Sequence, residues 1–391
     1  MKSKSIIFVL LLIVTITALL FGGVISSLVE KSKNKVLLHK PYNISEKTQK
    51  LHNSLLIGDL HADSTLWDRD LLELSDYGHV DIPRMQKGNL AIQMFTSVTK
   101  SPAGLNVHQN SSDAVDSITQ LALVQVWPID TWTSLTARAV FQAKKLMSIA
   151  QKAPDQFQII LTQVDLKRFI GRRNNGETVV AGLIGTEGSH ALDGHLKNID
   201  VLFDNGFRMM SLQHFFDNKL GGSLHGESNA GLTEFGREAL KMMQAKDIMI
   251  DVAHSSEKVV DEVLNLSVKP LIVSHTGFHG NCKTARNISD ELMIRIAKAG
   301  GIIGVGFWDL AVCDASPKGI VKAIRYGINL VGVDHVALGS DYDGSIAAPF
   351  DVSELAILTE EMLKANFTEN EIRKVMGENM IRFLADNLPV E

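Results

Sequence analysis

Five side chains able to ligate a metal cation stand at equivalent places in the chain, each within three residues of the end of a short apolar run. His61 and Asp63 follow Leu55–Leu60, Glu187 follows Val179–Ile184, His254 follows Ile248–Val252 and His275 follows Leu271–Val273. Strand side chains alternate, so His61 and Asp63, two residues apart, point the same way and can reach one cation. His254 and His275 offer neutral nitrogen donors for a second, and Glu187 has two oxygens with which to bridge the pair. Such a set suits two zinc ions, which at roughly 3.5–4 Å separation share and activate one water. A lone histidine at a strand end is more often a hydrogen-bonded core or surface residue. Five ligand types at the same end of their elements are a stronger signal.

Three further groups suit acyl chemistry. Asp341, in Gly339-Ser-Asp-Tyr-Asp-Gly344, follows the run Val336–Leu338 and suits proton transfer to a leaving group. Asp343 points the same way at i+2 and competes for that role, although the following Gly344 assigns it to a turn. His214 follows Phe207–Leu212 and can polarise a carbonyl oxygen. Arg286 can clamp a carboxylate bidentately, with helix capping or a salt bridge as equally open roles. His190, His195, His225 and His279 read as loop or supporting residues, and His39, His52, His79, His108 and His335 receive no role.

Two more apolar runs, Leu90–Phe95 and Gly301–Val305, complete a series of eight. Continuous runs of this length suit strands buried on both faces of a parallel sheet. Helical periodicity follows most of them, over Thr233–Ala245 (with Thr233 as N-cap), Ser256–Leu266, Ser289–Ala299, Lys318–Leu330 and Val352–Lys364. The alternation predicts an α/β fold, a (β/α)8 TIM barrel, whose active sites are built at the C-terminal ends of the strands. A doubly wound open sheet would leave the gathering of polar residues at those ends unexplained. The stretch Ser101–Asn175 is too long for a crossover. It reads as a helical insertion at about 101–175 that walls the site, with its helical pattern over Asp116–Ile149 broken near Pro128. Glu369–Asn387 predicts a final helix.

The 391 residues carry a formal net charge of −5, from 39 basic and 44 acidic side chains, which argues against nucleic acid as a partner. Two cysteines, Cys282 and Cys313, are too few for a disulfide framework or a Cys-rich zinc site. The mean hydropathy of +0.08 owes much to Ile6–Val29, a stretch without a charge and long enough to span a bilayer. Residues 1–29 therefore read as an N-terminal transmembrane helix, a signal anchor, with a cleaved signal peptide as the alternative. Residues 30–53 read as a polar tether and 54–391 as the barrel. Lys2 and Lys4 before the apolar stretch, and Lys31, Lys33 and Lys35 after it, nearly balance the charge signal for orientation. The expectation is a membrane-anchored catalytic domain outside the cytoplasm, or a cleaved secretory form.

The segments Asp59-Leu-His-Ala-Asp63, Val80-Asp-Ile-Pro-Arg84, Gly185-Thr-Glu-Gly-Ser-His190, Leu212-Gln-His214, Asp251-Val-Ala-His-Ser255, Val273-Ser-His275, Arg286-Asn287, Gly339-Ser-Asp-Tyr-Asp-Gly344 and Gly377-Glu-Asn379 run in this order to the C-terminus. In them the chain resembles the zinc-dependent membrane (renal) dipeptidase family, a branch of the binuclear metal-dependent amidohydrolases. His214-Phe-Phe-Asp-Asn-Lys-Leu-Gly-Gly222 is more similar to bacterial members. The resemblance implies two zinc ions, one on His61 and Asp63 and the other on His254 and His275, bridged by Glu187 and a hydroxide. It implies that His214 binds the substrate carbonyl and the developing oxyanion, that Arg286 holds the substrate carboxylate, and that Asp341 is the acid/base group. The implied reaction is hydrolysis of dipeptides, with tolerance of a D-residue at the second position, by a protein that is commonly a homodimer. A related amidohydrolase opening a lactone, a cyclic amide or a β-lactam with the same metal core is the alternative.

Overall fold

The computed structural model describes residues 23–391. Eight parallel strands form its centre: β1 (Ile57–Ala62), β2 (Leu90–Val98), β3 (Val180–Glu187), β4 (Phe207–Ser211), β5 (Met249–Asp251), β6 (Ile272–Thr276), β7 (Ile302–Val305) and β8 (Val336–Leu338). Each strand coincides with one of the eight apolar runs, and every residue in them is buried, as strands covered on both faces require. β2 pairs β3 from Ile92↔Ala181 to Val98↔Glu187, and β8 pairs β1 at Leu338↔Asp59, so the sheet closes on itself as a (β/α)8 barrel.

The helices begin where side-chain oxygens can satisfy their free N–H groups. Thr233, Ser256 and Ser316 cap Glu234–Ala245, Glu257–Leu266 and Pro317–Val331 by accepting from Gly236, Val259 and Gly319. The expected insertion occupies the chain between β2 and β3. It holds the helices Ser117–Val124, Leu135–Lys152 and Gln163–Asn174, with a short strand, Phe157–Ile159, paired to the start of β3. The break near Pro128 is a 3₁₀ turn, Ile129–Trp132. The final helical stretch is interrupted by a π-helical turn at Lys374–Glu378. It grips the barrel at the end opposite the polar residues. A Cβ on Gly377 would meet the Leu56 carbonyl oxygen at 1.8 Å, and Asn379 Nδ2 donates to Val333 O and Val336 O at 2.7 and 2.8 Å.

The expected membrane-spanning stretch falls mostly on residues 1–22, outside the described residues. Among the described residues no helix is long and apolar enough to cross a membrane. Residues 23–33 are helical, and the stretch read as a tether is seated on the barrel. Lys35–Val36 pairs in parallel with Ala347–Ala348, and the helix Glu46–Asn53 starts at Ser45, whose N–H donates to Glu360 at 3.1 Å. The two cysteines are joined as a disulfide, Cys282–Cys313, which ties the loop after β6 to the loop after β7. Their number said nothing of this pairing.

Candidate active site

All five expected ligands meet at the C-terminal ends of β1, β3, β5 and β6. Glu187 closes β3 and stands at their centre. Its Oε1 lies 3.5 Å from His61 Nε2, 3.3 Å from His254 Nε2 and 3.4 Å from His275 Nε2, and its Oε2 lies 3.3 Å from His214 Nε2. Asp63 Oδ1 is 3.5 Å from His61 Nε2. Three overlapping sets of donors can each hold one cation: His61, Asp63 and Glu187; Glu187, His254 and His275; and His61, His275 and Asp341.

Proton counting shows that these imidazoles present lone pairs. Ser274 Oγ donates its one proton to Asp251 Oδ2 at 2.7 Å and also lies 3.0 Å from His61 Nδ1 and 2.9 Å from His275 Nδ1. With its proton committed, the hydroxyl can only accept, so both Nδ1 atoms carry hydrogen, and each ring when neutral turns a bare Nε2 toward the cluster. His275 Nε2 then sits 2.9 Å from His254 Nε2. Where His254 also turns a bare Nε2 inward, the pair is two acceptors able to hold a cation between them. The donor set, neutral nitrogens with carboxylate oxygens, fits zinc.

The electrostatics point the same way. Burial pushes the Glu187 carboxyl well above its ordinary range, and Asp63 pushes it further. Burial and then Asp63 do the same to Asp341. Burial opposes a proton on His61, yet Asp63, Glu187 and Asp251 raise its pKa. His254 and His275 are held well below the ordinary histidine value by burial, with Arg286 the next cause for the first and His61 for the second. Carboxylates thus outnumber the positive groups able to pair with them, a field that favours divalent cations.

A cavity of about 740 Å³ opens over this cluster. Asp63, Glu187, His214, His254, Arg286 and Asp341 line its floor. The insertion supplies Leu105, Ile118 and Leu121 to its wall, as expected of it. His214 reaches in from the loop after β4. Burial lowers its pKa to about 4, so it is neutral, and its Nδ1 lies 3.3 Å from the Lys100 carbonyl. Both ring nitrogens face acceptors and the ring has one proton; the Nε2–H tautomer directs it toward the cavity. Arg286 Nη2 donates to His275 O at 2.7 Å. Burial lowers its pKa only to about 10, so it stays cationic. It caps no helix among the described residues, and its other nitrogens are available to a carboxylate.

Asp341 and Asp343 differ in their partners and surroundings. Asp341 faces the cavity with φ +62°, and His254 has φ +63°, both left-handed conformations that side chains adopt at a cost when a site demands them. Asp343 is turned away and fully buried. It accepts from Ser64 Oγ at 2.6 Å, Arg69 Nη2 at 2.7 Å and His79 N at 2.6 Å. Burial raises its pKa, but Arg69 and the hydrogen bonds outweigh this and hold it far below the carboxylate range.

Several supporting residues carried no assignment in the sequence. Asp251 and Asp59 lie inside otherwise apolar runs, where a carboxylate must find partners, and that was the available signal. Asp59 accepts from Ser340 N at 2.8 Å and so fixes the loop bearing Asp341. Thr96 Oγ1 donates to Asp63 Oδ1 at 2.6 Å. His79, which received no role, accepts from Asp343 N at 2.9 Å and donates through Nε2 to Lys35 O at 3.1 Å. His190 and His225 are buried against the site's aromatic groups, the first stacked on His214 and the second edge-on to His254.

The chain is similar to known proteins over most of its length. The model of the membrane dipeptidase family (peptidase family M19) matches residues 45–388. Dipeptidase tcpJ of Claviceps purpurea (strain 20.1) is 28% identical over 325 residues, covering 79% of this chain and 69% of the relative. Among solved structures, the probable dipeptidase PvdM from Pseudomonas aeruginosa superposes with a TM-score of 0.72 at 19% identity, over 88% of this chain and 98% of that one. A metallopeptidase from Rhodobacter sphaeroides, liganded with a phosphinate mimic of the dipeptide L-Ala-D-Ala, gives 0.68 at 23% identity, over 85% and 99%. These two likenesses are of fold. With the family model spanning nearly the whole barrel, the chain belongs to the membrane dipeptidase family, peptidase family M19, whose members are peptide-bond hydrolases.

Proposed function

We propose that the protein is a zinc dipeptidase held at the outer face of a membrane. The observation that carries the activity is the convergence of four imidazole Nε2 atoms on Glu187 at 3.3–3.5 Å, beneath a cavity that also holds Asp341 and Arg286. Two zinc ions on His61, Asp63, Glu187, His254 and His275 would supply Lewis acidity and acidify the attacking water. Arg286 binds the free carboxylate of the substrate and so limits its length to a dipeptide. His214 donates to the carbonyl oxygen as negative charge develops there. Asp341 takes the proton of the attacking water and delivers it to the departing amine. Acceptance of a D-residue at the second position is part of the proposal; the phosphinate mimic of L-Ala-D-Ala held by the Rhodobacter sphaeroides protein supports it.

Membrane attachment rests on the uncharged stretch Ile6–Val29. Its last residues lie in helix 23–33, where Val24, Ile25 and Leu28 are exposed. The Cys282–Cys313 disulfide supports an oxidising compartment. The purified chain should cleave L-Ala-D-Ala and L-Ala-L-Ala, lose activity to a chelator and recover it with Zn²⁺. Full activity in the double variant His254→Ala, His275→Ala would sink the metal assignment, and turnover of lactones or β-lactams without dipeptides would sink the substrate assignment.

A further inference from the structure

The floor of the cavity belongs to the barrel, but part of its wall does not. Val29 and Lys33, both on helix 23–33, line the same cavity as Asp63, Glu187, His214 and Asp341. That helix lies upstream of the residues matched by the family model, 45–388.

The helix is fastened firmly enough to act as a wall. Glu30 is 1% exposed and forms an ion pair with Arg69, whose Nη2 donates to Asp343 Oδ2 at 2.7 Å. Burial raises the pKa of Glu30 to about 7, while Arg69 works to keep it charged. Asn34 Oδ1 accepts from Ser345 N at 2.8 Å, and Lys35 N donates to Ile346 O at 3.1 Å. All of these contacts end on the segment 343–346, immediately after Asp341. The wall and the acid/base loop are therefore held as one unit.

The charges around the cavity are then almost fully assigned. Asp63 and Glu187 serve the metal cluster, Asp341 the proton, and Arg286 the substrate carboxylate. Asp309 also lines the cavity, and its Oδ1 accepts from Ala315 N at 3.2 Å. Lys33 forms no salt bridge among the described residues. An unpaired ammonium at the rim of a pocket attracts an anionic group on whatever enters it.

We propose that helix 23–33 determines specificity: Lys33 favours dipeptides with a carboxylate side chain, and Val29 limits the bulk that fits beside it. The proposal rests on the dipeptidase reading of the cavity. The test uses the full chain in detergent micelles, with Zn²⁺, comparing a neutral dipeptide such as Ala-Ala with Ala-Glu and Glu-Ala. Lys33→Glu should raise KM for an acidic dipeptide about five- to tenfold, the scale of reversing one partly exposed ion contact, while kcat and the neutral dipeptide stay within twofold. Lys33→Arg should keep the preference. Val29→Trp should raise KM for Phe-Phe more than for Ala-Ala. An acidic-to-neutral KM ratio unchanged by Lys33→Glu overturns the role of Lys33, and an unchanged Phe-Phe to Ala-Ala ratio in Val29→Trp overturns the wall. A wild-type chain that cleaves none of these peptides overturns the dipeptidase reading and this proposal with it. Cleavage with unmoved ratios overturns this proposal alone.

Discussion

Asp341 and Asp343 stand two residues apart in one loop, both are buried and both have positive φ, yet their surroundings differ in kind. Asp341 shares its space with Asp63 and Glu187, and Arg286 offsets only part of that charge. Asp343 receives hydrogen bonds from a guanidinium, a hydroxyl and a backbone N–H, and its partner Arg69 also binds Glu30. One cluster is left short of positive charge at a cavity, and the other is neutralised away from it. The lesson is that burial alone does not mark a functional carboxylate. Incomplete compensation beside open space does, because only there can a cation or a moving proton complete the balance.

The sharpest test of this contrast exchanges the two losses. Asp341→Asn should lower kcat by about 10²–10⁴-fold, the range of a lost general acid/base, with metal content unchanged. Removing a charge from a crowded negative site should also leave the metal-free fold as stable as before or more so. Asp343→Ala should do the reverse. It strands Arg69 beside Glu30, leaves Ser64 and His79 without their acceptor, and should cost on the order of 3–5 kcal/mol of stability in denaturant titration. Its folded fraction should lose far less than Asp341→Asn in kcat. Equal kinetic losses in both would erase the distinction.

The contrast was half legible in the sequence. His61, Asp63, Glu187, His254 and His275 announced themselves because each closes an apolar run, and the barrel that gathers them followed from eight such runs alternating with helical patterns. Gly344 hinted that Asp343 belonged to a turn. What remained hidden depends on contacts between distant segments. Glu30 and Arg69 are 39 residues apart, and Arg69 and Asp343 are 274 apart; no local pattern couples them. Helix 23–33 was hidden for another reason. Val24, Ile25, Leu28 and Val29 continue the uncharged stretch that begins at Ile6, so no change of composition marks where a cavity wall starts. The pairing of Cys282 with Cys313 depends on β6 and β7 being neighbours, which only the closed barrel supplies.

A smaller effect tests how the compensation-poor cluster is kept ready for cations. Ser274 commits its proton to Asp251 and so holds His61 and His275 in the tautomer with bare Nε2 atoms. Ser274→Ala should weaken zinc binding about 10- to 100-fold, measured by competition with a chromophoric chelator, while zinc-saturated enzyme keeps most of its kcat. Ser274→Thr, which retains the hydroxyl, should recover much of the affinity. Unchanged affinity in Ser274→Ala would mean that the tautomers are set elsewhere.

The smallest expected effect reads the same contrast through pH in the metal-free protein. The folded-state pKa values of Asp341 and Glu187 are raised above ordinary values of 3.8 and 4.5, so between those values and the raised ones the folded form holds more protons than the unfolded. Stability contributed by these groups is therefore lost as pH rises through that window, by at most about 1.4 kcal/mol per pH unit for each. Asp343 has the opposite sign. Its pKa is lowered, so its contribution is present above 3.8 and is lost as pH falls toward the lowered value. Unfolding free energies of chelated wild type, Asp341→Asn and Asp343→Ala, measured from about pH 2 to 8, should separate the two. Asp341→Asn should flatten the decline on the alkaline side, and Asp343→Ala should flatten the decline on the acid side. Parallel curves for all three proteins would show that the two carboxylates are compensated alike, and the reading of one as chemistry and the other as structure would lose its electrostatic basis.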